Sequence, residues 1–306
     1  MTKQLSFFRD EAELHTIKSK TKAIISASRR TDIPAFFYAW LQEALAKGLV
    51  EIPNPMFPNK VYNVDLNPEK VHSIVLWSKN FHNVLSNPMH LENYNLYFQY
   101  TINNYSKLLE PNVPEYKEAL SILEGLLKKY KPEQFNIRFD PVIISVKGEV
   151  NPTPDMPAKA RIMVFEQLCK DLRHLGMEKC RVTTSYLAMY GHVKSQIEKS
   201  GLNLVHLDTD KQISLFEQIS EVAYKYHISL FSCASPILEQ VPGINKGHCI
   251  DGELLEKLFG GKVKKTKDNG QRKACGCSYS KEIGIYSKSN NGMKCLHGCK
   301  YCYVMD

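Results

Sequence analysis

Short apolar runs alternate with amphipathic segments through the first two-thirds of the chain. Runs with strand character, each bounded by polar or turn residues, lie at 23–29, 73–79, 96–103, 135–144, 180–188 and 228–235. Segments with helical spacing lie between them, at 32–48, 114–127, 158–175 and 210–226. A shorter strand is predicted in 50–54 or 61–64, which makes six or seven strands. This alternation predicts parallel strands joined by right-handed crossovers.

Two sheet arrangements fit this element order. A doubly wound open sheet is one, but no glycine-rich phosphate turn follows any of the runs, which counts against a dinucleotide-binding domain. The other is a parallel (βα) barrel-like sheet, complete or incomplete. We therefore predict an α/β fold built on a barrel-like sheet.

The pattern changes after about Pro236. Short pieces rich in glycine and lysine replace the alternating elements, and they contain too few apolar residues for a core of their own. We predict a barrel-like domain over 1–235 and a cysteine-rich, irregular, metal-binding C-terminal arm over 236–306. Something other than its own core must order this arm.

The cysteines are unevenly distributed. Five of the nine fall in the last 32 residues. The chain has no apolar signal-peptide core at its start and no apolar window near the length of a membrane span, about 20 residues. We expect a soluble cytoplasmic protein with no membrane partner. In such a reducing compartment, clustered cysteines indicate metal or redox chemistry.

Cys295, Cys299 and Cys302 form a C-x3-C-x2-C motif. Two kinds of centre fit it. A structural zinc site needs four ligands, and His297 or Cys275 would supply the fourth. A 4Fe-4S cluster held by three thiolates would instead leave one iron with an open coordination position.

A second set comprises Cys233, Cys249, Cys275 and Cys277, in which Gly276 permits the turn that two cysteines one residue apart require. This set would ligate a second cluster or a zinc ion. Alternatively, Cys233 is a core residue and Cys249 a loop thiol. The two remaining cysteines, Cys169 and Cys180, fit buried structural positions.

With Tyr301 just before its last cysteine, C-x3-C-x2-C resembles the cluster motif of radical S-adenosylmethionine enzymes. The resemblance implies a 4Fe-4S cluster, S-adenosylmethionine bound at the open iron, an external one-electron reductant and radical chemistry on a substrate in the barrel mouth. Those enzymes carry the motif near the N-terminus, after the first strand. Here it lies near residue 300, so the arm must fold back to bring the cluster to the barrel.

A second resemblance spans 25–303. It is carried by the segments ISASRRTDIPAF, IVLWSKN, FQYTIN, RFDPV, GINKGHCID and QRKACGCSYSKEIGIY, together with the CLHGCKYCY motif. These resemble the domain of unknown function 1848 family. The resemblance implies a barrel protein with a cysteine-rich C-terminal region and brings no reaction with it.

Polar residues follow or end several strands, where parallel barrels place their chemistry. Asp32 fits a helix cap, and Arg138 and Asp140 share a strand face and could simply pair. Taken together, these residues predict a polar cavity. The catalytic candidates are Lys79, Arg138 and Asp140, and the cofactor-binding candidates are Arg29, Arg30, Gln99, Asn103 and Tyr301.

The net charge of +8 is concentrated in a basic segment, Lys262 to Lys273, which is either a solvated loop or a nucleic-acid contact. Two functions therefore compete with a radical enzyme. One is a nucleic-acid-binding protein stabilised by zinc or a cluster. The other is a metal-independent barrel enzyme whose cluster is purely structural.

Overall fold

The structure is a computed structural model, and it describes residues 21–54, 57, 60–147, 155–268, 270–288 and 292–304. The first 20 residues of the predicted barrel domain lie outside the described residues. In the part described, no helix is both long enough and apolar enough to cross a membrane.

The described strands, in chain order, are β1 (Ala23–Ala27), β2 (Leu49–Pro53), β3 (Val61–Asp65), β4 (Val71–Ser78), β5 (Leu96–Thr101), β6 (Phe135–Val142), β7 (Ser145–Lys147), β8 (Arg181–Tyr186), β9 (Leu202–Leu204), β10 (Ser229–Cys233), β11 (Ile244–Gly247) and β12 (Lys281–Glu282). The described helices are α1 (Ile33–Phe36), α2 (Tyr38–Lys47), α3 (His82–Ser86), α4 (Tyr116–Leu127), α5 (Asp155–His174), α6 (Gly191–Lys199), α7 (Thr209–Lys225) and α8 (Gly252–Phe259).

Eight strands form one sheet in the order β11-β10-β8-β6-β5-β4-β1-β12. All seven neighbouring pairs are parallel. From β1 to β11 the strands follow chain order without reversal, as in a (βα) barrel, and β12 joins the free side of β1. Among the described residues β11 and β12 do not pair, so the barrel is open between them. The predicted α/β fold with an incomplete barrel-like sheet is confirmed.

Local sequence signals explain the boundaries of the first helical segment. Asp32 caps α1 by accepting a hydrogen bond from the backbone N–H of Ala35, and Gly48 ends α2 in the left-handed region with φ of 69°. The helix predicted over 32–48 is divided at Phe37, whose φ of −126° is not helical. One short strand was predicted, in 50–54 or 61–64. The structure has a strand at each place, and the two form the antiparallel pair β2–β3 outside the main sheet.

The two faces of the sheet bury different cores. Residues such as Ile25 and Phe98 pack on the helix-covered face. On the opposite face, here called the inner face, Ile24 and Tyr97 pack against Ile250 and other apolar residues from the chain after β11. The arm therefore supplies β11, α8, β12 and the apolar filling of the inner face. The division of the chain at residue 235 stays a prediction.

Candidate functional site

Residues 295–302 fold back onto the carboxyl ends of β1, β4 and β5. His297 is buried, with Nε2 2.8 Å from Asp32 Oδ2 and Nδ1 3.2 Å from the carbonyl oxygen of Asn112. The Asn112 side-chain amide donates to the Leu296 carbonyl at 2.7 Å. Asp32 lies just beyond β1, so these contacts bring the cysteine motif to the end of the first strand.

Tyr301 makes the second attachment of the arm. Its hydroxyl donates to Glu110 and lies 2.8 Å from Lys79 Nζ and 3.0 Å from Asn103 Nδ2. Burial and the Glu110 carboxylate raise the pKa of Tyr301 well above its ordinary value, so the phenol stays protonated. Lys79 follows β4 and Asn103 follows β5, so Tyr301 fixes the motif at the ends of both strands.

The three thiols of the motif lie within electrostatic reach of one another and of charged residues at these strand ends. Burial, together with the Asp32 charge, raises the pKa of Cys295 to about 12. Burial also raises the pKa of Cys299 to about 12, against the opposing effect of Lys79. In metal-free protein both are neutral thiols. Metal binding would displace their protons, and the Lys79 charge favours the resulting thiolates.

Lys79 and Glu110 form a buried ion pair, with Nζ 2.8 Å from Oε1. Burial acts to lower the pKa of Lys79, but the Glu110 carboxylate outweighs it and the pKa is raised. At neutral pH Lys79 is therefore a fixed cation beside the motif. Its predicted catalytic role stays a prediction, and this geometry favours charge compensation over proton abstraction.

The second cysteine set is also brought together. Cys233 Sγ lies 3.6 Å from Cys249 Sγ. Cys249 and Cys277 are buried in one apolar cluster, and Cys233 and Cys275 pack against it. The hydrogen bond from Cys277 lowers the pKa of Cys275 to about 7. All four cysteines of the set thus lie in one packed cluster on the inner face.

Arg138 and Asp140 connect the second cysteine set to Tyr301 of the motif. The Arg138 guanidinium pairs with Asp140 and donates to Cys249 Sγ at 2.9 Å. Asp140 accepts from the Ser185 hydroxyl, and its backbone N–H donates to Asn103 Oδ1 at 2.8 Å. Because Asn103 in turn contacts the Tyr301 hydroxyl at 3.0 Å, polar contacts run from the second cysteine set to Tyr301, next to Cys302. The predicted candidates Arg138, Asp140 and Asn103 thus lie in one network.

The other predicted cofactor ligands are engaged in different ways. Arg29 donates to Asp268 at 3.0 Å, while its second terminal nitrogen, NH1, is buried and has no protein partner in the described structure. Arg30 donates to the Gly284 carbonyl at 3.0 Å. The Gln99 amide is held on the inner face, with Nε2 2.5 Å from the Cys249 carbonyl oxygen. Arg29 therefore keeps one buried donor for a ligand.

Sequence reasoning missed several residues of this site. Glu110 and Asn112 lie in a loop with no recognisable signal, and their roles appear only through contacts with the returning arm. Glu282 was also missed. Its carboxylate accepts from Ser26 Oγ at 2.9 Å and from the Arg29 backbone N–H at 3.1 Å. No local sequence pattern identifies contacts between residues so far apart in the chain.

The basic segment lies on the arm, and Glu256 offsets part of its charge. Lys262 and Lys265 have their ammonium groups 3.7 and 3.2 Å from Glu256 Oε2. Arg272 lies within electrostatic reach of Cys233 and Asp140. A nucleic-acid contact through this segment stays a prediction.

Neither cysteine set is a preformed metal centre. In the described residues, no three His, Cys, Asp or Glu side chains are disposed as the ligands of one metal ion. The donor chemistry nevertheless suits thiophilic metals. Ligation would require the thiols to lose protons and to rotate out of their present contacts.

An open parallel (βα) barrel with two cysteine sets near its strand ends defines a class of thiol-rich barrel protein. The chain belongs to the family described as Domain of unknown function (DUF1848), whose match covers residues 24–304. The family resemblance seen in the sequence is thereby confirmed. No curated protein matches the sequence. The resemblance to radical S-adenosylmethionine enzymes stays a prediction.

Proposed function

We propose that the protein is an iron–sulfur enzyme of the radical S-adenosylmethionine type, with a 4Fe-4S cluster on Cys295, Cys299 and Cys302. The observation that carries the proposal is the return of residues 295–302 to the ends of β1, β4 and β5. A motif that follows the first strand in such enzymes would lie at this position. The contact between His297 and Asp32, which follows β1, supports this placement: the motif lies beside the first strand although it is far from that strand in the sequence.

The surroundings of His297 favour a three-thiolate cluster over a closed zinc site. Both ring nitrogens of His297 already contact protein oxygens, on Asp32 and Asn112, so neither is spare for a metal. The other proposed fourth ligand, Cys275, packs with the second cysteine set on the inner face. Three thiolates without a fourth protein ligand are what an iron with an open coordination position needs.

Neighbouring residues fit the bound groups. Lys79 would compensate the negative charge of the thiolates, and Tyr301 would fix the motif at the barrel. The spare NH1 donor of Arg29 would suit a carboxylate such as that of S-adenosylmethionine. When bound and reduced by an external one-electron donor, the cluster and S-adenosylmethionine would supply radical chemistry. The protein would supply orientation and exclusion of water.

The test is anaerobic reconstitution followed by iron and sulfide analysis and electron paramagnetic resonance. Wild type and the control Cys169→Ala, a buried helix cysteine, should each carry about four more irons than Cys299→Ala. S-adenosylmethionine should change the resonance of the reduced wild-type cluster. A full cluster that neither binds nor cleaves S-adenosylmethionine would overturn the proposal.

A further inference from the structure

The gap in the barrel lies between β11 and β12, and the second cysteine set comes from both sides of it. Cys233 is the last residue of β10, and Cys249 lies two residues after β11. Cys275 and Cys277 lie on the segment that leads to β12. These four are called the seam cysteines below. Backbone contact across the gap already exists, because Ser278 N–H donates to the Ile250 carbonyl at 2.9 Å.

The spacing of the sulfurs indicates the kind of centre. Thiolates bound to zinc at about 2.3 Å in a tetrahedron stand about 3.8 Å apart. The observed distance between the sulfurs of Cys233 and Cys249 is 3.6 Å, and Cys275 and Cys277 pack in the same cluster on the inner face. In a 4Fe-4S cluster each thiolate binds a different iron, which holds the ligand sulfurs beyond direct contact. The spacing of Cys233 and Cys249 is therefore that of two ligands on a single ion, and Cys275 and Cys277 lie beside them.

Hydrogen-bond donors already point at these sulfurs. Arg138 NH1 lies 2.9 Å from Cys249 Sγ, and its NH2 lies 3.7 Å from Cys233 Sγ. The backbone N–H of Ile250 lies 3.4 Å from Cys277 Sγ. Such donors stabilise thiolate ligands, and the guanidinium would offset part of the net negative charge of a zinc ion with four thiolates.

We propose that the seam cysteines bind one zinc ion, which joins the two ends of the open sheet. The thiols release their protons as the ion binds, and small side-chain rotations bring the four sulfurs around it. The ion is structural, since four protein ligands leave no position for a substrate. This site shares no ligand with the iron–sulfur centre of the proposed function and does not depend on it.

The first experiment measures metals in a full-length variant with Cys295, Cys299 and Cys302 replaced by alanine, purified without oxygen. We expect about one zinc per chain and no iron or sulfide. Iron with sulfide, or no metal at all, would overturn the proposal. The variant lacks the ligands of the other centre, so failure of the iron–sulfur proposal would leave this zinc count unchanged.

A second experiment uses the wild-type chain and needs no variant to fold. The purified protein is treated with N-ethylmaleimide before and after a zinc chelator, and labelled cysteines are identified by mass spectrometry. We expect the seam cysteines to become several-fold more reactive after chelation, while the buried controls Cys169 and Cys180 do not change. Equal labelling before and after chelation, or a disulfide between Cys233 and Cys249, would overturn the proposal.

Discussion

His297 Nε2 lies 2.8 Å from Asp32 Oδ2, and this contact joins residues 265 positions apart inside the protein. The same carboxylate accepts from the backbone N–H groups of Ala35 and Lys79, each at 2.9 Å, and from the Ser78 hydroxyl at 2.7 Å. One side chain therefore caps α1, fixes the end of β4 and holds the cysteine motif against the barrel.

Asp32→Ala should lower the free energy of unfolding by about 3 kcal/mol, because four donors lose a buried acceptor. The measurement is equilibrium urea unfolding. The matched control is Asp208→Ala at the N-cap of α7, where the carboxylate accepts from Lys211 N–H at the surface. Asp208→Ala should lower the free energy of unfolding by about 1 kcal/mol. Equal losses in the two variants would show that Asp32 acts only as a helix cap.

Glu110→Gln should destabilise the protein by about 3 kcal/mol at pH 7, because it leaves Lys79 charged and buried without its partner. Burial acts to raise the pKa of Glu110, but Lys79 and Tyr301 outweigh it and the pKa is lowered. The carboxylate therefore stabilises the fold above the unfolded-state pKa of about 4.3, and the effect is lost as pH falls through the lower folded-state pKa.

The difference in unfolding free energy between wild type and Glu110→Gln should accordingly shrink as pH falls from about 6 to about 3. Glu115→Gln serves as the control, because Glu115 pairs with Lys107 where both side chains are largely exposed. It should change stability by under about 0.5 kcal/mol. A Glu110→Gln effect that stays constant over this pH range would contradict the assignment of the buried ion pair.

Lys79→Gln should make the reduction potential of the proposed cluster more negative by on the order of 50 mV, because a nearby positive charge stabilises the added electron. The measurement is a redox titration followed by electron paramagnetic resonance. Lys107→Gln removes an exposed cation from the loop after β5 and should leave the potential unchanged. Identical potentials in both variants would place the cluster away from Lys79.

Gly276→Ala should lower the free energy of unfolding by about 2 kcal/mol, because the added methyl group would overlap the His248 ring. Thermal or urea unfolding measures the loss. Gly191→Ala is the control, since a methyl group there meets nothing within 4 Å. It should alter stability by about 0.5 kcal/mol or less. If Gly276→Ala is as stable as the wild type, the His248 ring moves aside without cost.

The fold was predictable where local pattern and final structure agree. The apolar run at 73–79 became β4, and Asp32 and Gly48 mark the ends of the first helical segment because caps are local. β12 was not predictable, because Lys281 and Glu282 show no strand pattern. These two residues form a strand only by pairing with β1, which is distant in the sequence. α8 was missed although Asp251 provides a regular N-cap for it.

The candidate site was predictable through its cysteines, because spacing of thiols along a chain is a local property. The contacts of Lys79 were not, since Glu110 and Tyr301 reach it from 31 and 222 positions away. The pairing of Arg138 with Asp140 was foreseen as an alternative from their spacing on one strand face. The contact of Arg138 with Cys249 depends on how the C-terminal arm packs on the sheet, and no residue near Arg138 in the sequence indicates this.

The pairing of β1 with β12 has a consequence for biosynthesis. Ser26 meets Glu282 across 256 positions, so β1 leaves the ribosome long before its neighbour is translated. Until then one edge of β1 is bare in the nascent chain and is a target for wrong partners or chaperones. A transcript cut short before the codon for Lys281 would yield a polypeptide that keeps the other seven strands of the sheet but lacks β12 and the C-x3-C-x2-C motif.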